Sequence, residues 1–277
     1  MNIGIRLHDT AGDTLTQRTL NAREQGFSCC HLALSKAVDP GLMEPCTATP
    51  GLAAWVRSQM NGLDIAVLGC YLNLTHPDRA QYSEILRRYV AHLQLCKWMG
   101  AALVGTETGN PNAEYRYDPA QSHTEKAFGM FLDRFAPVVD AAEKIGASIA
   151  IEPVYTHIVY DPVHARRVLD YFHSPALRII FDPSNLLHPD NLDKRAYVID
   201  EAIDLLGDEI AVIHMKDYRL QNGQKIELAC GLGEMDYTQI LRFAKYKKPH
   251  IQMTLENTMP DNAEKARLYL EQLAEKL

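Results

Sequence analysis

Glu152, Asp182, His214 and Glu256 each close a short apolar run, SIAI, RIIF, IAVI and IQMTL. Three carboxylates and one imidazole make an oxygen-rich donor set that suits a divalent cation, Mn²⁺ first and Mg²⁺, Co²⁺ or Zn²⁺ behind it. The steps from 152 to 182, 182 to 214 and 214 to 256 are 30, 32 and 42 residues. Each is about one strand plus one helix, so consecutive parallel strands would bring all four side chains to one rim. There the carboxylates would repel one another, since no arginine stands next to them in the four motifs, and a metal removes that cost.

A metal with one or two positions left open polarises a carbonyl and stabilises an enediolate. Glu152 and Glu256 would face each other across such a site. One could take a proton beside the carbonyl and the other return it to the opposite face or to the next carbon, which is epimerisation or isomerisation.

The elements that must hold these residues alternate from end to end. Strand-like runs at 2–6, 28–34, 64–71, 102–107, 148–153, 178–183, 210–215 and 250–256 are nearly continuous in apolar residues, as strands buried on both faces are. Helical stretches near 14–25, 50–61, 78–99, 123–145, 162–173, 193–206, 236–245 and 261–275 lie between them, with Asp78 as a cap and Gly100 and Gly146 as stops. Eight such units predict an α/β fold, a (β/α)₈ TIM barrel in a single domain over residues 1–277. An open doubly wound sheet is disfavoured, because no GxGxxG or GxxxxGK turn follows any strand. In a barrel the C-terminal strand ends carry the chemistry, and all four residues lie there, whereas His250 starts its strand and belongs to the opposite rim.

A net charge of −7 argues against nucleic acid as a partner, and no run of about 18 apolar residues offers a membrane span. The N-terminus shows no basic segment followed by an apolar stretch, so the expected location is cytoplasmic. Six cysteines without a CxxC pair read as reduced, mostly core residues.

The motifs IAIEP, IIFDPSN, VIHMKD and TLEN, in that order on successive strands, resemble the xylose isomerase-like barrel superfamily, and especially its sugar isomerase/epimerase branch. The resemblance implies one divalent metal on Glu152, Asp182, His214 and Glu256, with Glu152 and Glu256 as the acid/base pair and a small keto sugar or polyol as substrate. It also implies a homo-oligomer. Ketose 3-epimerases of that branch carry His where this chain has Asn185, and a later loop Arg where Lys216 or Arg219 would have to serve. That departure brings in the related dehydratases of inosose-type ketones, lyases that begin with the same proton abstraction. A non-catalytic sugar-binding barrel is a further alternative. An apurinic-site endonuclease of the same superfamily needs additional histidines that are missing here.

Substrate contacts are expected from His8, Tyr71, Glu107, Asn185 and Lys216, all at strand ends or within a few residues of a proposed ligand. Glu107 has a rival reading as the salt-bridge partner of Arg116. Asp217 is expected to orient Lys216 or a loop amide, His188 to serve its loop, and Trp55 and Tyr115 to wall the pocket. Gly231 and Gly233 suggest either a phosphate cradle or a tight turn, and the nearby Glu234 and Asp236 favour the turn.

Overall fold

The computed structural model describes residues 1–277, and eight parallel strands close into a barrel. The strands are β1 (Asn2–Arg6), β2 (Cys29–Leu32), β3 (Asp64–Gly69), β4 (Val104–Glu107), β5 (Ile149–Glu152), β6 (Leu177–Phe181), β7 (Ile210–Met215) and β10 (Gln252–Leu255). β10 closes on β1 with Ile3 opposite Met253. The outer helices are α1 (Leu15–Glu24), α2 (Leu34–Ala37), α3 (Pro50–Gln59), α4 (Arg79–Met99), α5 (Pro119–Ser122), α6 (Glu125–Ile145), α7 (Pro162–Phe172), α8 (Arg195–Leu206), α9 (Thr238–Arg242) and α10 (Ala263–Glu275).

The expected helix ends hold. The Asp78 side chain accepts from the Gln81 amide at the start of α4, and Gly100 (φ 73°) and Gly146 (φ 71°) end α4 and α6 in the left-handed region. The helix expected over 236–245 is divided, with α9 passing into a π-turn at Phe243–Lys247. No helix is long and apolar enough to cross a membrane.

The short helices α2 and α5 and one hairpin were not anticipated. β8 (Asp217–Gln221) and β9 (Gln224–Leu228) form an antiparallel hairpin directly after β7. Its turn is Asn222-Gly223 with φ of 51° and 75°, the positive pair that a tight hairpin turn needs and that Asn-Gly supplies at low cost.

Strand alternation explains how the site is lifted to the rim. Cys29, Val67, Leu103, Ala150, Ile180 and Val212 form a small apolar plug, separate from the main core between strands and helices. Two residues further along come His31, Gly69, Gly105, Glu152, Asp182 and His214. Since successive side chains point to opposite faces, this layer also points inward and rests on the plug. The two glycines leave room: a Cβ on Gly69 would lie 2.6 Å from His31 Nε2, and one on Gly105 would lie 3.2 Å from the Tyr71 hydroxyl.

Candidate metal and substrate site

At the C-terminal mouth lies a pocket of about 420 Å³, lined by Arg6, His8, His31, Tyr71, Glu107, Glu152, Asn185, Lys216, Glu227 and Glu256 among others. That volume suits a small ligand. Glu152, Asp182, His214 and Glu256 are all buried, and Glu152 and Glu256 line the pocket directly.

The carboxylates divide their oxygens between two tasks. Glu152 Oε1 accepts from Asn185 Nδ2 at 2.5 Å, while Oε2 lies 3.2 Å from His214 Nδ1. Glu256 Oε2 lies 3.5 Å from Lys216 Nζ and 3.6 Å from Arg6 Nη1, while Oε1 lies 3.3 Å from the same His214 Nδ1. Asp182 Oδ1 accepts from the Asn185 amide at 3.1 Å, which leaves Oδ2 near Lys216 Nζ at 3.1 Å. Glu152 Oε2 and Glu256 Oε1 therefore both face His214, while Asp182 Oδ2 faces the Lys216 ammonium.

Buried polar atoms normally find hydrogen-bond partners. Here His214 Nε2 has none, and Asp182 Oδ2 and His214 Nδ1 have only the charged neighbours Lys216, Glu152 and Glu256, without hydrogen-bond geometry. Donor atoms of Glu152, Asp182 and His214 lie within 4.8 Å of one another, and so do those of His31, His214 and Glu256. These residues fit a divalent cation by donor chemistry and convergence. The expected four-residue set thus stands as two overlapping triads that share His214, with the Lys216 ammonium bridging Asp182 and Glu256.

That bridge corrects the expectation that the acids lack a basic partner. Lys216 from the end of β7 and Arg6 from β1 both reach Glu256, neither being near it in sequence. The charges perturb one another accordingly. Burial would lower the His214 pKa, but Glu152 and Glu256 raise it to about 9. Burial lifts Glu152 to about 7 against the pull of His214. In Glu256, burial acts upward, yet His214, Lys216 and Arg6 hold it below the usual carboxylate range. Asp182 is raised by burial, with Lys216 opposing. Lys216 stays charged because Asp182, Glu256 and Glu227 outweigh its burial.

The expected substrate contacts gather here. The Tyr71 hydroxyl donates to Glu152 Oε2 at 3.4 Å, and His8, on the short turn after β1, lines the same pocket. Glu107 sits beside Glu152 in register, and its partners are the Tyr115 hydroxyl at 3.0 Å and His157 Nε2 at 3.9 Å; Arg116 is not among them. Tyr115 therefore stands behind Glu107, from a left-handed backbone at φ 53°, and does not itself line the pocket. Nor does Trp55: it lies on α3, 43% exposed and outside the pocket. His188 serves its loop, with its ring stacked on Tyr155 at 4.2 Å.

Asp217 orients loop amides rather than Lys216. Its Oδ1 accepts from the amides of Tyr218 and Met235 at 2.8 and 2.9 Å, and its Oδ2 from Gly231 and Gly233 at 3.0 Å each. The glycine-rich segment is a turn around the chain's own carboxylate. A side chain on Gly233 would come within 2.1 Å of the Tyr218 carbonyl.

Three site residues escaped the sequence reading. Arg6 ends the first strand and Glu227 sits on the unanticipated hairpin. His31 lies inside the apolar run CCHLAL, and a histidine in such a run was the available signal. It is 3% exposed, stacks on His214 at 5.3 Å and lies near Tyr71 at 5.5 Å, with neither ring nitrogen hydrogen-bonded. Burial and the neighbouring His214 push its pKa well down.

A family model described as a xylose isomerase-like TIM barrel matches residues 22–274. No curated protein matches the sequence. Among solved structures, 3-keto-D-glucoside 4-epimerase YcjR from E. coli is similar with a TM-score of 0.75 at 14% identity, covering 98% of this chain and 99% of that one. The probable 3-DHS dehydratase AsbF from Bacillus anthracis gives 0.72 at 14% identity, over 99% and 98% of the two chains. The IolI protein with a bound zinc atom gives 0.69 at 15% identity, over 100% and 96%. At these identities the likeness is one of fold.

Proposed function

The chain belongs to the xylose isomerase-like TIM barrel family, and from that premise we propose that it is a divalent-metal-dependent isomerase or epimerase of a small keto sugar or polyol. The observation that carries this reading is the convergence of two donor triads, Glu152 with Asp182 and His214, and His31 with His214 and Glu256, on the shared His214, while the outer oxygens of Glu152 and Glu256 are held by Asn185, Lys216 and Arg6. A divalent ion held by Glu152, Asp182, His214 and Glu256 would supply Lewis-acid polarisation of the substrate carbonyl.

The chain's own groups do the rest. Asn185 fixes the Glu152 carboxylate through one N–H, which leaves oxygen lone pairs free to receive a proton from carbon. Glu256 approaches from β10 on the other side of His214 and serves as the second proton carrier. Tyr71 keeps its proton, because burial and Glu152 push its pKa well up, and it is a donor to Glu152 or to a substrate oxygen. Asp182 and His214 are proposed as ligands only, and His8, Glu107 and Lys216 as contacts for hydroxyls further along the substrate. Arg6 and His31 join them on the evidence of the pocket lining.

One observation favours a second reading, dehydration of a keto-polyol. The Lys216 ammonium beside Glu256 offers a positive charge and N–H donors to stabilise a departing hydroxide, and a probable dehydratase shares the fold. Proton NMR in D₂O with keto sugars and inososes separates the two. Deuterium at carbon without loss of water supports the isomerase, and an unsaturated or dione product supports the lyase. In either case Glu152→Gln is expected to lower turnover by roughly 10²–10⁴-fold, the usual worth of a positioned general base. An unchanged rate removes Glu152 from the chemistry.

A further inference from the structure

Lys216 is 5% exposed and surrounded by three acids: Nζ lies 3.1 Å from Asp182 Oδ2, 3.4 Å from Glu227 Oε2 and 3.5 Å from Glu256 Oε2. Two of these are proposed ion ligands. Glu227 is not. It comes from β9 of the hairpin rather than from a barrel strand, and is still a third exposed.

An ammonium and a divalent cation cannot both sit at Asp182 Oδ2 without strong repulsion, because like charges a few ångströms apart in a buried pocket are poorly screened. The lysine has a flexible four-carbon stem, so its charge can move while its backbone stays fixed between β7 and β8. Once Asp182 and Glu256 are engaged, Glu227 is the one acid of the three still free to hold it.

Glu227 is well placed for that task. Its Oε1 lies 3.5 Å from Lys225 Nζ, and its Oε2 also accepts from Asn257 Nδ2 at 3.5 Å. Lys225 in turn donates to the Ser184 carbonyl at 2.5 Å, which ties β9 to the segment after Asp182. The root of the hairpin is fixed by the four amides around Asp217. Glu227 is therefore anchored, and Lys216 is the mobile partner.

Resting on the metal-dependent reading above, we propose that Glu227 is the seat to which Lys216 withdraws when a divalent cation takes the carboxylates, so that this pair sets how tightly the barrel mouth holds its ion. Glu227 acts through Lys216 and is a positioning residue. It touches neither the ion nor the reacting atoms.

The test uses Mn²⁺ alone, titrated calorimetrically into the full chain as wild type, Glu227→Gln, Lys216→Met and the double variant, with circular dichroism to verify folding. Lys216→Met is expected to tighten Mn²⁺ by about tenfold or more. Glu227→Gln is expected to weaken it by about tenfold in the presence of Lys216, yet by less than about threefold in the Lys216→Met background; such a coupling lies within the range for residues in contact. Glu227→Asp should recover most of the loss. If Lys216→Met does not fold, Lys216→Gln takes its place in the cycle. An equal effect of Glu227→Gln in both backgrounds would mean simple attraction through space and would overturn the proposal. So would weaker binding on removal of Lys216. Absence of Mn²⁺ binding by all four proteins would overturn the metal-dependent function itself, and this inference with it.

Discussion

Asp217→Asn should destabilise the protein far more than its single-atom change suggests. The carboxylate accepts four backbone amides, two on each oxygen, at 2.8–3.0 Å, and Asp217 is 1% exposed. An asparagine offers one carbonyl oxygen, so two amides keep an acceptor and the other two face an NH₂ group. The Gly231 and Gly233 amides belong to exposed residues, so water can satisfy part of what is left over, whereas the Tyr218 and Met235 amides are buried. A hydrogen bond to a charged group is worth roughly 1.5–3 kcal/mol, so losing two costs at most about 3–6 kcal/mol, reached only if the buried Tyr218 and Met235 amides are the ones left over. Against a total stability of about 5–15 kcal/mol the variant would then be marginal. Urea unfolding followed by far-ultraviolet circular dichroism measures this, as a lowered midpoint with an unchanged slope. A loss below about 1 kcal/mol would show that the loop Gly231–Met235 does not depend on Asp217.

Two further outcomes follow from the packing. Gly69→Ala places a methyl 2.6 Å from His31 Nε2 and 3.1 Å from a Tyr71 ring carbon, and overpacking of that kind costs about 1–3 kcal/mol; an unshifted thermal midpoint would mean that the His31 ring is not held in place. Of the six free cysteines only Cys46 is exposed, and burial pushes the thiols of Cys29 and Cys96 up to about 12. A thiol-reactive disulfide reagent should therefore label about one group quickly in the native protein and all of them in denaturant, since thiolate formation and access control the rate. Fast labelling of several native thiols would contradict the buried placement.

The barrel was legible because strands buried on both faces leave a plain signal, an apolar run ending in a residue that cannot stay in the plug. Glu152, Asp182 and His214 each stand two residues beyond an inward-facing Ala150, Ile180 or Val212, so the alternation that made the runs visible also carried the site to the rim. The hairpin was less visible because β8 and β9 are largely exposed and polar, although Asn222-Gly223 marks their turn. His31 was hidden by its apolar neighbours, since an imidazole held by packing alone has no sequence partner to reveal it. The neutralisation of Glu256 could not be read at all. Arg6 and Lys216 are separated by the whole barrel in sequence and meet only because β1 and β7 both flank β10.

The central claim is that one divalent ion is held jointly by Glu152, Asp182, His214 and Glu256. Crystals soaked in Mn²⁺ and measured for anomalous scattering test it directly. The account predicts a single strong peak at the barrel mouth, about 2.0–2.4 Å from one atom of each of those four residues. No peak there, or one ligated by other groups while these four side chains stay apart, would contradict it.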